Sequence, residues 1–202
     1  MFALVKDGSI VKMLSGNQGV TIDDIQHPKA IFTLWTKDER EAIGVYEVEM
    51  NNSKKKDEKW YINTDVTYSF GSGKVTGSYG DATARKHADT LFTAQDESDG
   101  KGTEGDVKDE GLKTKLIRSI KSQAEGELNK TDWYITRKAE KDTAIPSAVS
   151  THRDAGRSKQ AEMETDITNS SDTPALETLY TYTTQEDGST TRPLGELPTK
   201  DF

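Results

Sequence analysis

Cysteine is missing from this 202-residue chain. That excludes a disulfide framework, a thiolate metal site and a cysteine nucleophile, and it fits a protein made in a reducing cytoplasm. Apolar residues are scarce too. They make up 32% of the chain, and the 16 glycines raise the apolar share only to about 40%, against the roughly 45–50% of ordinary globular chains. A chain so composed cannot bury a large core over its whole length, so modest cores, much solvated surface and burial supplied by a partner are expected. Long hydrophobic runs are also lacking. Met1–Val5 meets Lys6-Asp7 at once, so neither a signal peptide nor membrane insertion is expected. Basic charge is the minority sign, with 27 Lys and Arg against 35 Asp and Glu for a net charge of −8. Phosphate backbones need a basic face, so no nucleic-acid partner is expected.

What is present changes character along the chain. Residues 1–95 carry strand signals. Phe2–Val5 and Ile10–Leu14 flank Lys6-Asp7-Gly8-Ser9, where Asp-Gly supplies the positive φ of a tight hairpin turn. Pro28 pushes His27 out of helical geometry, and Ala30–Trp35 reads as a strand or extended run. Thr36-Lys37-Asp38-Glu39 has the form of a capping box, and its short helix should end at Gly44. Val45–Met50 places apolar or aromatic residues at 46, 48 and 50 opposite two glutamates, the period of a half-buried strand. Two further strands, Trp60–Phe70 and Lys74–Tyr79, meet at Gly71-Ser72-Gly73, so the segment predicts a small antiparallel sheet.

Residues 96–111 mix four glycines with acidic side chains and contain one apolar residue, Val107, which predicts a flexible acidic linker. From Leu112 the period becomes helical: Leu116, Ile117, Ile120, Ala124 and Leu128 share one face. Thr131-Asp132 can cap a second helix, Pro146 can open a third, and Asp172-Thr173-Pro174 a fourth. The expected fold is therefore α+β. It comprises an antiparallel β-rich domain (1–95), a linker (96–111), a helical hairpin or small bundle (112–184) and an extended tail (185–202).

Motifs that suggest catalysis fail on spacing. Gly71-Ser72-Gly73-Lys74-Val75 lacks the upstream glycine, the Ser or Thr after lysine and the following helix of a phosphate loop, so it reads as a turn. His152-Arg153-Asp154 stands alone without the rest of a kinase signature and reads as a solvated helix face. His27, His87 and His152 share no metal-ligand spacing, and the acidic run lacks the register of a calcium loop. No catalytic, cofactor-binding or metal-ligating residue is assigned, no cofactor is expected, and the chain is expected not to be an enzyme. Aromatic residues are the more informative signal. Tryptophan and tyrosine are enriched as interface anchors, and the neighbours in Trp60-Tyr61 and Trp133-Tyr134 point to different sides. Trp60, Tyr61, Trp133, Tyr134, Leu179 and Tyr180 are the candidate interface residues.

The run Leu128-Asn129-Lys130-Thr131-Asp132-Trp133-Tyr134-Ile135-Thr136-Arg137-Lys138, then Ile145-Pro146, then Ser150–Arg157, resembles the C-terminal part of a class of bacteriophage tail-fibre and tail-fibre-assembly proteins. The Phe2–Val11 hairpin, His27-Pro28 and Thr36-x-x-Glu39-x-x-Ala42-x-Gly44-Val45 resemble the front half of such proteins. In that class a tyrosine is usual where His152 stands, and a leucine where Gly156 stands. The resemblance implies a virion or assembly role with other tail proteins as partners, in a protein made in the host cytoplasm, and it supplies no catalytic residues. The expected function is a structural tail component (fibre, baseplate or adaptor type) that acts through protein–protein interfaces and forms a homo-oligomer. An assembly chaperone that leaves before maturation, or a small glycan-degrading enzyme, are the alternatives.

Overall fold

The computed structural model describes residues 1–199, and the chain divides into two compact units, Met1–Thr83 and Ala84–Phe202. In the first unit β1 (Phe2–Lys6) pairs antiparallel with β2 (Ser9–Leu14) across Asp7 and Gly8, whose φ angles of 50° and 74° are those the Asp-Gly pair predicts. The apolar run of β1 is buried on both faces. Phe2 and Leu4 join Leu14, Ile31, Phe32 and Val45 on one side, and Ala3 and Val5 join Val75, Met13, Tyr46 and Phe70 on the other. Alternate side chains of a strand point to opposite faces, so an uninterrupted apolar run marks a strand buried twice over.

The first cluster is closed by a hairpin of β3 (Val20–Ile22) and β4 (Ile25–His27), which turns at Asp23 and Asp24 with φ of 50° and 63°. The strand expected over Ala30–Trp35 does not form. Lys29–Phe32 is a 3-10 turn instead, with the Ile31 amide donating to the Pro28 carbonyl at 3.2 Å, and the turn drives both Ile31 and Phe32 into the cluster. Helix α1 (Lys37–Ala42) starts with the expected capping box: the Glu39 amide donates to the Thr36 hydroxyl, and the Glu39 carboxylate accepts from the Thr36 amide at 2.8 Å. Gly44 follows at φ 78°, and a Cβ there would stand 2.6 Å from the Val5 carbonyl oxygen, so glycine is required both by conformation and by space.

The remaining strands of this unit are β5 (Val45–Asn51), β6 (Tyr61–Ile62), β7 (Thr67–Gly71) and β8 (Lys74–Ser78). The main sheet has the order β2-β1-β5-β8-β7. It is mixed, which corrects the wholly antiparallel expectation, because β5 runs parallel to β8 with Val48 opposite Val75. Residues 52–66 carry the chain past the β8 position to the edge, where β7 forms, and the tight hairpin at Ser72-Gly73 returns β8 into the gap. The strand expected from Trp60 to Phe70 is interrupted. Asn63 turns aside to hold the Lys56 backbone, accepting from its amide at 2.8 Å and donating to its carbonyl at 2.9 Å.

The division between units falls within β9 (Thr83–Ala84), earlier than the expected end of the head at residue 95. The stretch read as a linker is folded. β10 (Thr90–Leu91) pairs with β11 (Val107–Asp109), and α2 (Ala94–Ser98) between them is capped by Thr93 and Asp96. Asp96 also accepts from Lys108 at 2.9 Å, and Lys101 pairs with Asp99 at 2.8 Å. Lysines at the right places thus neutralise acid that composition alone presents as solvated.

Four helices follow: α3 (Leu112–Asn129), α4 (Asp132–Lys141), α5 (Ser147–Asn169) and α6 (Thr173–Tyr180). Helices α3 and α5 pack along one another, with Leu116, Ile120 and Ala124 buried on the first and Val149, Met163 and Ile167 on the second. Gly111 at the N-cap of α3 has no side chain to offer. Asp89 does the capping from far along the chain, accepting from the Gly111 amide at 2.7 Å and the Thr114 hydroxyl at 2.8 Å. Asp172 caps α6 through the Ala175 amide at 2.8 Å, as its sequence predicts. The tail expected to be extended folds back over its described length. β12 (Thr183–Thr184) pairs with β13 (Thr190–Thr191), and fully buried Leu194 donates its amide to the Leu179 carbonyl at 3.0 Å. The last three residues of that predicted tail lie outside the described residues. The α+β class stands.

Candidate interaction surface

The corner between α3 and α4 is built on polar groups. Thr131 is fully buried and Arg153, reaching in from α5, is nearly so. The Arg153 Nη1 atom donates to the Leu128 carbonyl at 2.8 Å, the Thr131 hydroxyl at 2.7 Å and the Asp132 carboxylate at 2.7 Å. The Thr131 hydroxyl in turn donates to the Leu128 carbonyl at 2.9 Å, so it closes the end of α3 and does not cap α4 as its position suggests. One guanidinium therefore satisfies a helix-terminal carbonyl and an acidic residue at the first position of the next helix, the two kinds of group that a helix corner leaves open. This corrects the reading of His152-Arg153-Asp154 as a wholly solvated face. A signal was available: Val149, Arg153, Gly156, Met163 and Ile167 are spaced four, three, seven and four apart, the period of one buried helix face.

Held by this corner, α4 buries none of its own side chains. Trp133 is 51% exposed and Ile135 41% exposed. The Trp133 and Tyr134 rings lie 3.9 Å apart between centroids, and the Arg137 guanidinium stands 4.6 Å from the first and 5.5 Å from the second. The result is a preorganised aromatic ledge with a cation upon it, a composition enriched at protein interfaces.

The other candidate interface residues have different fates. Trp60 is buried within the first unit with Lys59 4.5 Å from its ring centroid, so it is core and not surface. Tyr61 is half-buried, with Lys56 at 5.8 Å. Leu179 is half-buried where the Leu194 amide meets its carbonyl, and Tyr180 is half-buried with Arg192 5.2 Å from its ring. Burial pushes the Tyr180 phenol above its ordinary range, against the opposing pull of Arg192. The exposed aromatic of this region is Tyr182, which no motif or spacing in the sequence marks. Trp133 and Tyr134 alone among the six candidates form a stacked pair on an open helix.

The groups that invite a chemical reading are dispersed. Gly71–Lys74 is the β7–β8 hairpin turn. His27 stacks edge-on against Trp35 in the first unit, and His87 meets the Ser170 hydroxyl at 3.1 Å in the second. The Ser170 hydroxyl donates to the Ile167 carbonyl at 2.6 Å, which leaves its proton engaged away from the imidazole. Burial holds His87 below its ordinary pKa, and Lys113 adds to this, with Asp172 and a hydrogen bond from the ring to the Ser170 backbone carbonyl opposing. Among the described residues no three His, Cys, Asp or Glu residues are grouped to hold a metal ion. A shallow groove of about 670 Å³ runs beside α5, and its one carboxylate, Glu164, is engaged by Gln160 at 2.8 Å and Lys121 at 3.4 Å. Also among the described residues, no helix is long and apolar enough to cross a membrane.

No protein family, curated protein or solved structure matches this chain.

Proposed function

We propose that the chain is a structural component of a bacteriophage particle, a tail subunit of fibre, baseplate or adaptor type that acts through protein–protein interfaces and has no catalytic role. The observation that carries this reading is the Arg153 corner. The resemblance to phage tail proteins rests on two separate runs, Leu128–Lys138 and Ser150–Arg157, and the guanidinium of the second binds Leu128, Thr131 and Asp132 of the first. Residues that carry the resemblance are therefore interdependent in space. Gly156, where tail proteins of this class have a leucine, departs from the resemblance, and a Cβ built there meets nothing within 4 Å.

Mass spectrometry of purified particles tests the proposal. A stoichiometric amount of this chain relative to known tail subunits is expected. Its absence from particles made by a host that expresses it overturns the structural role in favour of an assembly factor that departs before maturation. Shortening of purified polysaccharide by the isolated chain would overturn the non-catalytic part.

A further inference from the structure

We draw no further inference here: the strongest candidate, the surface patch that Trp133, Tyr134 and Arg137 form on one face of α4, is an unpartnered helix face, and nothing in the structure shows what covers it.

Discussion

The buried apolar side chains of the first unit number twelve, in clusters on both faces of β1 and at Trp60, whereas the longer second unit shows eight and adds Thr131, Arg153 and Thr173 to its interior. No buried polar or charged residue falls in the described part of the first unit. The difference shows what an apolar shortage does when it is concentrated in one region. Apolar burial is non-directional and tolerates repacking, so the first unit can be held by size and pattern. The second unit relies on polar contacts that hold only at particular distances and must all be satisfied. Such contacts fix geometry more tightly, and here they fix the corner that presents α4.

The largest expected effect lies in the first unit. Ile31→Ala deletes a fully buried side chain and is expected to cost about 2–5 kcal/mol in denaturant unfolding, with no change at the α3–α4 corner. Arg153→Ala is next. It strips three acceptors of a charged donor, but Asp132 is half-exposed and regains water, so about 2–3 kcal/mol is expected. Thr131→Val should cost about 1 kcal/mol, and the double variant with Arg153→Ala should fall short of the sum. Strict additivity would show that the corner is no network.

Acid should separate the two units as well. The Lys108 ammonium and Thr93 hold Asp96 down to about 2, and hydrogen bonds from the Gly111 amide and the Thr114 hydroxyl lower Asp89. A carboxylate with a depressed folded pKa stabilises the fold above its unfolded value near 3.9, and that stability is lost as pH falls toward the folded value. Asp99, Glu110 and Asp187 are lowered likewise, by hydrogen bonds from Lys101, Arg118 and Ser189, whereas in the first unit Glu39 alone shows a resolved lowering. His87 acts at higher pH: its folded pKa is lowered, so stability begins to fall once pH drops below its unfolded value of about 6.5. The second unit is therefore expected to loosen first on acidification, followed by amide signals in nuclear magnetic resonance. Equal loss in both units would remove the contrast.

The smallest expected effects sit on the helices of the second unit. Gly156→Ala fills open space inside α5 and is expected to stabilise by up to about 1 kcal/mol. Trp133→Ala should leave the melting temperature within about 2 °C of wild type, because the ring is half-exposed.

Local signals were legible in the sequence. The capping letters at Thr36 and Asp172, the positive-φ turns at Asp7-Gly8 and Ser72-Gly73, and the apolar run of β1 each act over a few residues, and each has the structure it predicts. Features set by distant partners were not. Lys108 reaches Asp96, Asp89 caps α3 from 22 residues before Gly111, and Arg153 crosses 21 residues to Asp132, so the folded state of 96–111 and the polar corner were invisible to composition. The two Trp-Tyr pairs make the same point about the candidate surface. Trp60 ends a turn in a sheet unit and is buried, while Trp133 stands half-exposed on a helix that buries none of its side chains.

Native-state hydrogen exchange of the full chain, wild type against Arg153→Met, tests most directly whether the polar corner is what holds α4. Methionine keeps much of the side-chain bulk and removes the donors. Amides of residues 134–141 are expected to exchange at least tenfold faster in the variant, with those of β1, β5 and β8 unchanged. Equal protection of α4 in both proteins would contradict the account.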